Sequence, residues 1–424
     1  MDAKLGYEDL AFVKNKGFLR VIFLKRFYFD MPNSDLDSIG KWDVKNGVDC
    51  IEVGCIEDAE NANAVNEESE RKVKKNYIYF DCKQATAERK FNQIIDRKIQ
   101  NDLYAANGSK AFYIFKGPLI GLRRFGIIES DSNCIELRPI TGCNLQCIYC
   151  SVDEGPKTGK IEYVVDKDLL VNEFKKLAKL KTGDLYVHIS AMGDPTLYPK
   201  LVELISDISK VDKVKIVTIG TNGLLLNKDY VDCLVDAGLN RINISINAID
   251  SQLARKIAGV DAYDIERIKE QCKYIVTKID LIIAPTLLHG INDEEIGKII
   301  EFALGLEKIA KKHGKNVRIG IQNFLNYKGG RNAAEQWDWK EFYKFMHELE
   351  NKYKIKLVNP DLGFEIKSDK VLKKPHKKGD LVVVERFNEE LGFLGERLIN
   401  IPKCNDKKAK FKLTSDKFNI YQGA

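Results

Sequence analysis

CIELRPITGCNLQCIYC, residues 134–150, begins as a strand and ends as a loop that carries three cysteines. Apolar Ile135 and Leu137 alternate with Glu136 and Arg138, and Pro139 stops the run. From here toward the C-terminus, strand-like runs alternate with helix-like ones. The strand candidates are 134–139, 185–189, 214–219, 242–246, 279–284 and 317–322. Helical periodicity falls at 167–180, 201–208, 228–237, 262–277, 294–310 and 339–352. Such alternation builds βαβ units and a parallel sheet. Six units make an α/β fold, either a partial barrel or a doubly wound sheet. In both, the loops after the strands' C-terminal ends hold the site.

The flanks differ in texture. Residues 1–116 are expected to form an α+β domain, with strands at 19–29, 48–54 and 76–81 and a polar loop or exposed helix at 57–75. Residues 87–103 have helical spacing, with Phe91, Ile94, Ile95 and Ile99 on one face. Beyond the central domain, 117–362, a third domain spans 363–424. Its segments 379–386, 395–401 and 410–414 look like short strands of a small β-barrel. The 424 residues are 44% apolar and 31% charged, which allows a sizeable core and excludes a fibrous or wholly disordered chain. The net charge of +6 is small, but residues 367–424 alone hold 14 Lys and Arg against 8 Asp and Glu. Residues 1–10 lack the apolar run of a secretory signal, and nothing approaches the ~20 apolar residues of a membrane span. The expectation is a soluble, cytoplasmic protein with no membrane partner.

Ten cysteines over this length do not make a disulfide scaffold. Cys143, Cys147 and Cys150, in one loop opened by Thr141-Gly142, point to metal. Three thiolates so spaced can wrap one face of an iron–sulfur cluster and leave one iron open to a small molecule. The bland alternatives are zinc, which prefers four ligands in two pairs, and isolated core cysteines.

With Tyr149 before the last cysteine, this loop resembles that of the radical S-adenosylmethionine (SAM) superfamily, whose motif is CxxxCxxC with an aromatic residue at that place. The resemblance implies a partial (βα)6 TIM-like barrel in which Cys143, Cys147 and Cys150 hold a [4Fe–4S] cluster. The open iron would take the amino and carboxylate groups of SAM, and one electron, from a donor such as ferredoxin or flavodoxin, would cleave SAM to a 5′-deoxyadenosyl radical. Ser190-Ala-Met-Gly193-Asp194-Pro195 stands where the family has Gly-Gly-Glu-Pro, so Gly193, Asp194 and Pro195 would seat the SAM ammonium. Gly220-Thr221-Asn222-Gly223 resembles the family's TNG loop. Ser245 and Asn247 would face the ribose, with Tyr149 and Gln322 near adenine.

The remaining loops speak less directly. Asn292 or Asp293 is expected to cap the helix after the fifth strand, and His289 beside them either touches substrate or is a hydrogen-bonded loop residue. Lys328-Gly329-Gly330-Arg331 offers two cations suited to a carboxylate or phosphate, or is a plain surface turn. Cys50, Cys55, Cys82 and Cys134 leave a second cluster open, Cys233 and Cys272 read as core, and Cys404 as a plain thiol. No P-loop, G-x-G-x-x-G or GxSxG signature is present.

The tail points to a substrate. Lys374-Pro-His-Lys377-Lys378-Gly379-Asp380 and the run to Glu385 resemble the opening of a TRAM domain, an OB-like β-barrel of several RNA-modifying enzymes; 392–397 and 410–421 fit its later strands. Cations interleaved with Phe387, Phe393, Phe411 and Tyr421 can contact phosphates and stack on bases. From about Gly117 onward the chain resembles archaeal predicted iron–sulfur oxidoreductases with a radical SAM core and a TRAM-like tail. The expected function is radical modification of RNA, above all tRNA. The alternative is attack on a protein side chain or a small metabolite, with the barrel as a lid.

Overall fold

The computed structural model describes residues 2–46, 75–360, 362–363 and 365–424. They form two compact units, Met1–Tyr113 with Gly159–Val164, and Ile114–Thr158 with Val165–Ala424.

In the second unit six parallel strands lie side by side in chain order: β1 (Cys134–Arg138), β2 (Leu185–Ile189), β3 (Val214–Thr221), β4 (Arg241–Ile244), β5 (Asp280–Ile283) and β6 (Val317–Ile319). Antiparallel Gly126–Glu129 extends the sheet beside β1. Neighbours in space that are also neighbours in sequence give the partial barrel, and exclude the doubly wound order. Between the strands run α1 (Lys167–Leu180), α2 (Leu201–Ser209), α3 (Lys228–Asp236), α4 (Ser251–Ala258), α5 (Ile265–Ile275) and α6 (Asp293–Lys312), and α7 (Trp339–Tyr353) follows β6. Asp166, Asn227, Asp250, Asp264 and Asp338 each accept a hydrogen bond from a first-turn amide and so start their helices. The period-2 pattern puts Ile135 and Leu137 into the fully buried layer under the helices. Glu136 and His188 pair across β1 and β2 and share the opposite face.

The sequence-based strand at 242–246 is shorter than expected, since β4 ends at Ile244. The expected run 317–322 breaks into β6 and a two-residue strand, Gln322–Asn323. The chain also folds α4, which periodicity did not announce.

The C-terminal segment of this unit closes into a five-stranded β-barrel built from Leu381–Arg386, Leu391–Leu394, Arg397–Asn400, Lys408–Ser415 and Gln422–Gly423. Val384, Ile399, Phe411, Leu413 and Tyr421 fill its core, so Phe411 and Tyr421, expected to stack on bases, are instead buried packing residues. Gly121 lies so close to it that an added Cβ would stand 2.0 Å from the Leu398 carbonyl oxygen, and the Ile120 carbonyl accepts from Leu398 N at 2.9 Å. Asp369, upstream of the barrel, accepts from the Thr182 hydroxyl and from the backbone amides of Thr182 and Gly183, which together hold its carboxyl well below the usual carboxylate range.

The first unit carries a three-stranded sheet (Ala3–Tyr7, Trp42–Lys45, Asn76–Phe80), a four-stranded sheet (Leu10–Asn15, Phe18–Phe23, Phe27–Pro32, Tyr104–Ala105) and a helix, Gln84–Asn101. Phe91 on that helix packs against Phe80, with ring centroids 5.6 Å apart. The strand expected at 19–29 is a hairpin instead: Leu24 and Lys25 take φ of 52° and 58°, a turn that neither Gly nor Asn marks in the sequence. The expected elements at 48–54 and, up to residue 74, at 57–75 lie outside the described residues, as do Cys50 and Cys55. Among the described residues no helix is long and apolar enough to cross a membrane.

Candidate active site

The loop after β1 is fixed from three sides. First, the backbone of Gly193 lies directly on Gly142: a Cβ there would stand 1.9 Å from the Gly142 carbonyl oxygen, which accepts from Asp194 N at 2.9 Å. Glycine is the residue this approach tolerates. Second, the C-terminal end of α4 supplies carbonyls: Ala258 accepts from Gln146 N at 2.9 Å and Ile257 from Ile148 N at 3.0 Å. Gly259 ends that helix in the left-handed conformation, where a Cβ would stand 2.1 Å from the Gln146 carbonyl oxygen. Third, Arg331 donates through Nε to the Cys147 carbonyl, through its two terminal nitrogens to Asp153 Oδ1 and the Glu154 carbonyl, each at 2.7 Å, and through its backbone amide to the Cys150 carbonyl at 2.8 Å. The carboxylate that Arg331 meets is thus the protein's own Asp153, and the residue is neither a plain surface turn nor turned toward an external anion.

Behind this loop the polar residues hold one another. Asp194 is 1% exposed, and its carboxylate accepts from Thr196 N, Asn222 N and Thr221 Oγ1 at 2.7–3.0 Å. Burial raises its pKa above the ordinary value, and these donors counter that. Pro195 is buried and opens a short 3₁₀ turn behind Asp194. Asn222 donates to Asn144 Oδ1 at 2.8 Å and accepts from Leu224 N at 2.9 Å. Asn247 donates to the Tyr149 hydroxyl at 2.7 Å and accepts from Thr286 N at 2.8 Å. Asn292 does not cap α6: it accepts from Leu288 N and donates to the carbonyls of Asn247 and Thr286, tying the loops after β4 and β5. His289 is hydrogen-bonded to Asp293 at 2.7 Å.

These elements enclose a cavity of about 220 Å³. Cys143, Cys147, Cys150, Tyr149, Gly193, Asp194, Asn222, Ser245 and Asn247 all line it. Ala254, Ile257 and Ala258 of α4 complete the wall. Sequence reasoning missed that helix, although Asp250 and Gly259 are its start and stop signals. Gln322 lies elsewhere, in an adjoining cavity of about 520 Å³ that shares Tyr149 and Ser151 with the first.

A family model described as the radical SAM superfamily matches residues 137–303. The uncharacterized protein MJ0103 of Methanocaldococcus jannaschii is 36% identical over 361 residues, which is 77% of this chain and 83% of that protein. The chain belongs to the radical SAM superfamily. It is an enzyme of that superfamily, and its cofactors are a [4Fe–4S] cluster and SAM. A GTP 3′,8-cyclase of Limosilactobacillus fermentum is 30% identical over 197 residues, 46% of this chain and 54% of the cyclase. Among solved structures, SuiB of Streptococcus suis bound to S-adenosylmethionine is 17% identical with a TM-score of 0.40, covering 64% of this chain and 53% of that one. An archaeal TYW1 is 20% identical with a TM-score of 0.36, covering 55% and 76%.

The loop after β1 suits the radical SAM cluster. Its three thiols open on one cavity, and backbone amides of Leu145 and Glu154 point at the sulfurs of Cys143 and Cys150, each at 3.4 Å. Burial pushes the Cys143 thiol far up and that of Cys147 to about 12, so bound metal must displace protons to make thiolates. Among the described residues no three His, Cys, Asp or Glu side chains close around a single ion.

Proposed function

We propose that this radical SAM enzyme modifies RNA, and that Cys143, Cys147 and Cys150 are the ligands of its cluster. When bound, the cluster supplies the electron that splits SAM into methionine and a 5′-deoxyadenosyl radical. The chain's own residues provide the frame. Gly193 lets the loop after β2 lie against the cysteine loop, so that its backbone carbonyls, not the saturated Asp194 carboxylate, face the SAM ammonium. Asn247 holds Tyr149 as one wall, Ser245 offers its hydroxyl to the ribose, and Gln322 stands toward adenine. Asp194 and Asn222 position the loops around SAM without touching its reacting bond.

The observation that carries the RNA reading is the outer face of the C-terminal barrel, which resembles a TRAM domain. Lys408, Lys410 and Lys412 alternate on the exposed side of one strand. Their register partners on the next strand are Glu385, Val383 and Leu381, and Val383 and Leu381 are 56% and 77% exposed. Cations beside bare apolar side chains suit phosphates with bases next to them. The enzyme also needs an electron donor, for which a ferredoxin or flavodoxin is proposed.

The test is anaerobic purification and reconstitution, with iron, sulfide and 5′-deoxyadenosine measured with and without total tRNA. About four irons per chain and SAM cleavage that rises with tRNA support the proposal. Cleavage indifferent to tRNA moves the substrate to proteins or metabolites, and no cleavage sinks the assignment of the cysteines.

A further inference from the structure

The 520 Å³ cavity beside the cysteine-lined one is larger than its neighbour, and its far end has a different character. Its near wall, Tyr149, Ser151 and Gln322, is where the proposed reading sets the base of SAM. Beyond that wall stand three large rings with no cover. Tyr327, Trp339 and Tyr343 are 46%, 48% and 41% exposed. Trp339 and Tyr343, four residues apart on α7, lie on one helix face with ring centroids 5.8 Å apart and planes tilted by 28°. Phe342 and Met346 form the buried floor beneath them.

Two amide side chains reach the same cavity unspent. Those of Gln322 and Asn359 are exposed and make no hydrogen bond among the described residues. This contrasts with Asn222 and Asn247, whose amides are taken by protein. Lys328, Lys340 and Lys344 each follow a lining ring in the chain (Tyr327, Trp339 and Tyr343), and they are exposed and outside any ion pair among the described residues. Glu341 is the one acid in the first turn of α7.

Resting on the radical SAM and RNA reading above, we propose that this aromatic groove seats an unpaired nucleobase of the RNA substrate next to the SAM cavity. Each feature has a role in that. A flat heterocycle gains from stacking on half-exposed Trp and Tyr rings whatever its identity. The Asn359 amide offers one acceptor and two donors, which matches the mixed edge of a base, while Gln322 serves the SAM side of the shared wall. The lysines meet the phosphates on either side of the splayed nucleotide. An aliphatic substrate would leave the open amide unmatched, and a peptide backbone would not cover the paired rings as a flat heterocycle does.

The experiment uses the full-length reconstituted enzyme and a single-stranded RNA carrying 4-thiouridine, with binding read by fluorescence anisotropy and crosslinks mapped by mass spectrometry. Crosslinks on residues 339–343 are expected, and W339L should weaken binding about tenfold, the range for loss of one stacked base. W339F should restore most of it, which a merely structural defect would not. Circular dichroism and iron content confirm that each variant is folded and loaded. If loaded W339L binds as the wild type does, and crosslinks fall only on the 408–412 strand, the groove proposal fails while the RNA reading stands. If the wild type binds no RNA but a photoreactive peptide crosslinks to residues 339–343, both fail and the groove takes a protein.

Discussion

The two adjoining cavities are built on opposite plans. Around the cysteines, polar side chains are consumed by the protein itself: Asp194, Asn222, Asn247 and Arg331 all point at other loops. In the groove next door, Gln322, Asn359, Trp339 and Tyr343 stand open. The lesson is that a reactive centre is held by residues whose bonding is finished, whereas recognition needs residues whose bonding is not.

The contrast can be broken most severely at the thiols. Cys143→Ala should lower iron from about four per chain to below about one, and take 5′-deoxyadenosine formation to background. Iron retained at the wild-type level would mean that the ligands lie elsewhere. Next in size is the packing of backbone on backbone. Gly259→Ala forces a Cβ to 2.1 Å from the Gln146 carbonyl oxygen in a left-handed residue, so the loop must move. The expected cost is on the order of 3 kcal/mol, seen as a lower midpoint in urea, with iron uptake impaired. A neutral result would show the loop to be pliant.

Arg331→Lys keeps the charge but loses the planar set of donors that reaches Cys147, Asp153 and Glu154. A loss of about 2 kcal/mol, with slower cluster loading, is expected. If Lys serves equally well, charge alone holds the loop. On the open side the expected effect is smallest. Trp339→Leu should shift stability by no more than about 0.5 kcal/mol in a thermal or urea melt, since nearly half of the ring is already in water. A large loss there would mean that the groove is part of the frame, and the contrast would dissolve.

Much of this was legible beforehand, and the misses have physical causes. Apolar periodicity located the six core strands and most helices to within a few residues, because each buries one face against a continuous sheet. The α4 helix escaped because its eight residues make only two turns, with an apolar face of Leu253, Ala254, Ile257 and Ala258 too short to stand out as a period, even though Asp250 and Gly259 delimit it. The Leu24–Lys25 turn escaped because residues of ordinary β propensity were pressed into positive φ by the strands they join. The residues around the cysteines were found as a set, yet their second role was not. Asp194 and Asn247 line the cavity as expected and in addition tie its loops together, as Arg331 does from outside it. Spacing along the chain shows which groups are near a site, while who satisfies whom depends on partners far off in sequence, such as Arg331 and Cys147, 184 positions apart.

That separation also bears on how the enzyme is made. The loop that carries the three thiols leaves the ribosome early, but two of its three supports, at Gly259 and Arg331, are still untranslated. At ordinary elongation rates of about 5–20 residues per second, the wait for Arg331 lasts roughly ten to forty seconds. Throughout that interval the nascent thiols have no finished walls around them and are open to oxidants and stray metal. A cluster seated in the finished loop is therefore expected to enter only after Arg331 has been made.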